Sequence, residues 1–273
     1  MRKPIFSVII PALNEEKFLP KLLASLAKQT AREFEVIVVD ASSRDHTVDE
    51  AKKFAHKLPA LTILSTKKRN LPFQRNFGAA HANGEWLIFI DADSVLMPYF
   101  IDRVKDYISV QDPRVFTTWA LPDSESNSDA IFTLFTNVYY EATVLFKRPL
   151  TPGPLTAIRK DVFDEMGGYD ESHAYNEDAE LGLRLAKSGY MLSILREALY
   201  IWSMRRIRRE GKMKVMQQYV LSVLPILVFK KPFKHMPGYI MGGQLYKKRK
   251  HTKRSMLSVY ERKLQSLVQE LVA

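Results

Sequence analysis

Asp91-Ala92-Asp93 closes a short apolar run, Trp86 to Ile90, and two carboxylates in that position call for an explanation. Burying ionised acids is costly unless they are paired or hold a cation. Oxygen ligands one residue apart suit Mg²⁺ or Mn²⁺ bound together with a substrate diphosphate. Such an ion takes a few carboxylates and completes its shell with phosphate oxygens and water, and it would neutralise charge on a departing diphosphate. An isolated Asp-X-Asp, however, is more often a solvated turn. A second acidic pair, Glu177-Asp178, opens an amphipathic segment, where a carboxylate can either cap a helix or act as a base. The chain has no cysteine, which excludes disulfides, thiolate metal sites and a cysteine nucleophile.

The elements that must carry these acids alternate. Phe6 to Pro11 and Glu35 to Asp40 are short apolar runs suited to buried strands, Leu61 to Leu64 a third strand, and Trp86 to Asp91 a fourth. Between them, Phe18, Leu19, Leu22, Leu23 and Leu26 recur at helical spacing, and Thr47 to His56 and Gln74 to Ala82 also read as helices. The alternation predicts an α/β fold with a mostly parallel sheet and helices on both faces. Ligands of such sheets bind beyond the carboxyl ends of the strands, the edge to which Asp40 and Asp91 fall. Further on, Asp129 to Phe146 reads as a long aromatic-rich helix, Pro149 to Pro154 as a rigid loop, and Glu177 to Lys187 as a helix burying Leu181, Leu185 and Ala186.

Read in order, the motifs carry more than any one of them. Pro11-Ala12-Leu13-Asn14-Glu15-Glu16 is followed by Val39-Asp40-Ala41-Ser42-Ser43, then Arg75-Asn76-Phe77-Gly78, Asp91-Ala92-Asp93, Gly167-Gly168-Tyr169-Asp170 and Asn176-Glu177-Asp178. Over roughly residues 5 to 210 this series closely resembles the family 2 glycosyltransferases of the GT-A fold. The resemblance implies a nucleotide-diphosphate-sugar donor, with a UDP-sugar favoured, and an acceptor hydroxyl; the acceptor is expected to be a glycan or, given the basic and apolar tail, lipid-linked. It implies that Asp40 and the loop of Pro11, Ala12, Asn14 and Glu15 contact the nucleoside. Arg75 and Asn76 would lie near sugar and diphosphate. Asp93 would be the firmer metal ligand, with Asp91 and Ala92 beside it. Asp178 would be the general base of an inverting displacement, with Glu177 orienting it; retention stays open on sequence. Arg205 and Arg206 either fold back onto the diphosphate or form a charged helix face. The Ser42 to Thr47 stretch reads as loop-shaping and capping, and His173, Trp119 and Trp202 as packing residues in first instance.

The expected organisation is a catalytic domain over residues 1–205, with a nucleotide-sugar half (1–98) and an acceptor half (99–205), followed by a basic, helical, amphipathic extension over 206–273. The net charge is +11, yet from Arg205 onward seventeen Lys and Arg face three acids, so the basicity belongs to the last quarter. With the apolar run Tyr219 to Phe229 and the cluster Lys247 to Arg254, that segment fits either an anionic membrane surface or helices with solvated outer faces. A spanning helix needs about 20 apolar residues, and the longest run is eleven. No secretory signal opens the sequence, so a cytoplasmic location is expected, with peripheral contact at the inner membrane face. The rival readings are a nucleotidyltransferase, which lacks support because no glycine follows the first strand, a non-catalytic sugar-nucleotide binder, and a nucleic-acid module. The last ranks lowest, because the basic segment lies outside the motif region.

Overall fold

Residues 3–218, apart from 148, 174, 212 and 216, are described by a computed structural model. Its elements are β1 (Phe6–Ala12), α1 (Leu19–Ala27), β2 (Phe34–Asp40), α2 (Thr47–Lys52), β3 (Leu61–Ser65), α3 (Leu71–Ala80), β4 (Trp86–Ile90), β5 (Val95–Leu96), α4 (Phe100–Gln111), β6 (Val115–Pro122), α5 (Asn127–Leu145), β7 (Leu155–Arg159), α6 (Lys160–Glu165), α7 (Glu177–Lys187), β8 (Leu192–Trp202) and α8 (Arg205–Glu210). The eight strands form one sheet in the order β3-β2-β1-β4-β7-β6-β8-β5. β3, β2, β1 and β4 are parallel, as are β6 and β8. β7 runs antiparallel to both β4 and β6, and β5 antiparallel to β8. The sheet is thus mostly parallel, and it crosses both expected halves of the catalytic domain.

Strand periodicity explains the two layers of helices. Phe6, Val8 and Ile10 point into one core with α1 residues such as Leu19, Leu22 and Leu26 and with Phe100 of α4. Ile9, Ile37 and Val39 point the other way, against Ala79 of α3, Phe163 of α6 and Leu181 and Leu185 of α7. β1, β2 and β4 are buried along their whole length, which is why their sequences read as continuous apolar runs. Ala186, expected inside, is only half-buried.

Two helix boundaries differ from expectation for local reasons. α3 starts at Leu71 rather than Gln74, because Asn70 caps it: its side-chain oxygen accepts from the Phe73 amide at 2.8 Å, and Pro72 sits in the first turn, where no donor is needed. α2 stops at Lys52, short of His56; the chain continues through turns that still pack Phe54 against the core and bury Leu58 in it.

The start of β4 is fixed by a buried polar knot. Ser7 Oγ donates to Glu35 Oε1 at 2.6 Å, and Asn83 donates its backbone N–H (2.6 Å) and Nδ2 (3.1 Å) to the same carboxylate. The Gly84 amide donates to Ser7 Oγ at 2.8 Å, and a Cβ at 84 would lie 2.7 Å from the Ser7 nitrogen. Only glycine lets this turn lie against β1. The knot sets the register that delivers Asp91 to the carboxyl edge. Among the described residues, no helix is long and apolar enough to cross a membrane. The apolar run Tyr219 to Phe229 and the cluster Lys247 to Arg254 lie outside the described residues.

Candidate active site

A cavity of about 260 Å³ opens beyond the carboxyl ends of β1 and β4, walled by the 153–154 loop, the start of α7, the end of β8 and α8. Pro11, Ala12, Glu15, Arg75, Asp91, Ala92, Asp93, Glu177, Asp178, Arg205 and Arg206 all line it. Residues separated by up to 195 positions in the chain are therefore neighbours.

On one wall, Arg205 lies between two acids. Its Nε is 2.8 Å from Asp93 Oδ2, and its Nη1 and Nη2 donate to the two oxygens of Glu15 at 2.7 and 2.5 Å. The guanidinium stacks 4.6 Å from the Phe18 ring centroid. Burial pushes the Glu15 carboxyl up to about 7, against the lowering influence of Arg205. Burial likewise raises Asp93, which Arg205 and a hydrogen bond from Ser203 pull back only in part, and lifts Asp91 to about 7. Arg205 serves Glu15 and Asp93, and Arg75 serves Asp91, yet burial keeps all three acids raised. The donor set is all oxygen, which fits Mg²⁺ or Mn²⁺. No group of three acidic, histidine or cysteine ligands is present among the described residues.

Beneath the cavity, Arg75 is 1% exposed and ties the two acidic clusters together. It donates to Glu177 Oε1 at 2.9 Å, Asp91 Oδ1 at 3.3 Å and the Gly153 carbonyl at 2.9 Å, and Tyr169 covers it with its ring centroid 5.1 Å from Cζ. The sequence placed Arg75 near the diphosphate. In the structure its charge is paired with acids of both walls at the base of the cavity. Removing it strands two carboxylates in a dry site, so Arg75→Met should destabilise the fold by about 3 kcal/mol, measured by urea unfolding. An unchanged midpoint would contradict this role.

On the far wall, Asp178 Oδ1 accepts from the Ala179 amide at 2.7 Å, so the capping role is realised in part. Its pKa is pushed up to about 7, chiefly by burial and then by Glu177. The Pro149 to Pro154 loop is moulded onto this helix start. A Cβ at Gly182 would meet Pro149 O and Thr151 N at 2.8 Å, and a Cβ at Gly153 would meet Asp178 Oδ2 at 2.7 Å. Thr151 Oγ1 donates to the Asp178 carbonyl. Gly153→Ala should therefore displace the Asp178 carboxylate and lower turnover about 10- to 100-fold with little change in donor affinity. Steady-state kinetics on the folded variant checks it, and wild-type turnover would refute it.

Strain gathers around the cavity. Asn14, Ser42 and Asn176 adopt φ of 55°, 55° and 57°, a region that non-glycine residues occupy only when their surroundings demand it. Asn176 directly precedes the acidic pair. Asn14 clamps two loops, donating its amide to Ser43 Oγ (2.8 Å) and accepting from the Arg44 amide (2.8 Å), and it lies outside the cavity lining. Asn76 is also outside the lining: it pins the 168–171 turn through the Tyr169 backbone in both directions (2.9 and 2.8 Å). Asp40 sits behind the lining, 3% exposed. One of its oxygens accepts from the Ser43 amide at 3.1 Å, and the other has no protein partner. Ser43, Asp45 and Thr47 shape and cap the loop as expected, with Thr47 Oγ1 accepting from the Glu15 amide at 2.7 Å.

The basic run divides. Arg205 and Arg206 face the cavity, whereas Arg208 pairs with Asp123 at 2.6 Å and Arg209 is exposed. Arg206 is held by Glu210 (3.3 Å) and Gln218 (2.6 Å). His173 is buried beside Asp170, outside the lining; Trp119 bonds Glu141 (3.2 Å); Trp202 lines the cavity and stacks on Phe132. Sequence reasoning missed Gln74, which bonds the Ala12 and Val39 carbonyls (3.1 and 2.8 Å) and so locks β1 to β2 at the cavity edge. It also missed Gly153, Ser203, and Arg69, which holds the Ala41 and Ser42 carbonyls (3.3 and 3.0 Å). Glycine in a proline-rich loop was the one signal available for these.

Comparison with known proteins places this geometry. An uncharacterized glycosyltransferase of Haemophilus influenzae is 30% identical over 186 residues, 66% of this chain, and the chain spans 62% of that relative's length. Residues 1–349 of TarS from Staphylococcus aureus, solved in complex with UDP, superpose with a TM-score of 0.59 at 25% identity, covering 72% of this chain and 60% of that one. The mannosyltransferase PcManGT of Pyrobaculum calidifontis, in complex with GDP-Man and Mn²⁺, shares the fold with a TM-score of 0.62 at 22% identity, over 74% of this chain and 57% of its own. Residues 7–167 match the description of Glycosyl transferase family 2. That match takes in more than half of the chain, from β1 through α6, and the chain belongs to glycosyl transferase family 2.

Proposed function

We propose that this protein transfers a sugar from a nucleoside-diphosphate sugar, a UDP-sugar by preference, to an acceptor hydroxyl of a glycan or lipid-linked glycan at the cytoplasmic face of the cell envelope. The observation that carries this reading is the pair of acidic walls, Asp93 with Glu15 on one side and Asp178 on the other, facing one cavity and tied together beneath it by buried Arg75 through Asp91 and Glu177. The half before residue 98 holds the donor and the half after it the acceptor. Asp40 supports a nucleobase with an imide N–H, because one of its buried oxygens lacks a partner. The UDP complex of TarS supports the same choice.

Asp178 takes the proton of the acceptor hydroxyl, and the acceptor oxygen attacks the anomeric carbon from its side. The bond between that carbon and the diphosphate breaks, and the electron pair leaves on the nucleoside diphosphate, giving inversion. Glu177 orients the base through Arg75. Asp93, with Asp91 beside it, would hold Mg²⁺ or Mn²⁺, which when bound would neutralise charge on the leaving diphosphate. Arg205 and Arg206 line the same cavity, with Arg69 and Arg75.

The test offers UDP-, GDP- and dTDP-sugars to the full chain with Mn²⁺ and fractionated envelope glycolipids and glycans, following nucleoside diphosphate release. Acceptor-dependent release from one donor class is expected. No release from any donor with any fraction would contradict transfer.

A further inference from the structure

The outer face of α5 is apolar and uncovered. Ile131, Leu134, Phe135, Val138 and Leu145 fall within an arc of about 100° on the helix, each more than half exposed, and Phe146 follows at its end, 74% exposed. A helix on a globular domain ordinarily turns such a stripe inward. Here the buried face carries Asp129, Phe132 and Thr133 instead. Both carboxylates of α5 are drawn away from the stripe: Asp129 is buried and accepts from Ser124 Oγ at 2.6 Å, and Glu141 is bound to Arg196 Nε at 2.8 Å and Trp119 Nε1 at 3.2 Å.

Charge identifies what covers this face. The described chain ends beside α5, where Val215 and Ile207 pack with Phe132. From residue 219 onward the sequence carries eleven Lys and Arg against two acids. An apolar stripe without carboxylates, on a chain whose sequence beyond residue 218 is strongly basic, matches an anionic bilayer. The boundary of the acyl chains takes the side chains, and the headgroups take the cations. A second copy on the same face would bring together two chains of net charge +11, which charge opposes.

We propose that α5 is the face by which this protein lies on an anionic membrane, with its stripe in the boundary between headgroups and acyl chains. Tyr140 of the same helix lines the cavity, so the site stands about one helix diameter, roughly 10 Å, from the lipid. An acceptor carried by a lipid is within reach of such a site. That corollary rests on the transfer reading, whereas the membrane contact does not.

Flotation of the full chain at low salt, without nucleotide, on vesicles of phosphatidylcholine with phosphatidylglycerol and on phosphatidylcholine alone tests the contact. Wild type should float with the anionic vesicles. The doubles Phe135→Glu/Val138→Glu and Leu134→Ser/Phe135→Ser change exposed positions only and should lose partitioning by about tenfold or more, with circular dichroism unchanged. Variants that float like wild type would overturn the proposal and leave the basic segment as the anchor. Failure of wild type to float, with light scattering showing a dimer that Phe135→Glu/Val138→Glu splits, would overturn it in favour of self-association. Nucleotide binding measured separately reports on the transfer reading and cannot be confused with either outcome.

Discussion

Asp178→Asn should lower transfer by about 10³-fold, within the range for loss of a general base, while donor affinity stays near that of wild type. The amide keeps the shape of the side chain against Gly153 and can still accept from the Ala179 amide, so the helix start is preserved. What is lost is the ability to take a proton. The pH profile follows from the same residue. A base works as its anion, and burial together with Glu177 pushes Asp178 up to about 7. The rate should therefore fall about tenfold per pH unit below 7 and level off above it. Glu177→Gln removes a negative neighbour and leaves Arg75 less compensated, so the inflection should move to lower pH. A flat profile from pH 5 to 8, or Asp178→Asn with wild-type turnover, would exclude Asp178 as the base.

Asp93→Ala should be as damaging by a different route. Asp93 is the carboxylate that meets Arg205 in the cavity, and it stays desolvated even with that partner. On the proposed mechanism its removal takes away the firmer of the two oxygen ligands for Mg²⁺ or Mn²⁺. Charge neutralisation at the leaving group is worth several kcal/mol, so kcat/KM should drop about 10³-fold or more, and added Mn²⁺ should not restore it. Arg205 remains held by both Glu15 oxygens, so the fold should keep its stability. Asp91→Ala differs here, because it also deprives buried Arg75 of a partner. Its variant should lose stability as well as activity, and that contrast separates the two acids of the motif.

The fold was legible in the sequence wherever burial leaves a period. β1, β2 and β4 are buried on both faces and showed as apolar runs; α7 showed its boundaries because an acidic first turn and the end of the Leu181 and Leu185 stripe frame it. The antiparallel insertion of β7 was not legible, because a strand's direction is set by the partners it meets across the sheet. The carboxylates of the site announced themselves through placement after strands and before a helix. Their supports did not. Arg75 has no local mark distinguishing a diphosphate ligand from a buried tie, and its three partners come from positions 91, 153 and 177. Asn14 and Asn76 clamp loops in the structure, a role the sequence did not mark, since an amide side chain beside a loop serves either purpose. Gly153 became meaningful only when Asp178 was seen within 2.7 Å of the Cβ it lacks.

Calorimetric titration of UDP, GDP and dTDP into the full chain, with and without Mn²⁺, tests most directly whether this cavity is a metal-assisted nucleotide-sugar site. One nucleotide, UDP by preference, should bind only in the presence of Mn²⁺, and Asp93→Ala should abolish that dependence. Equal binding with and without Mn²⁺, or no binding of any of the three, would contradict it.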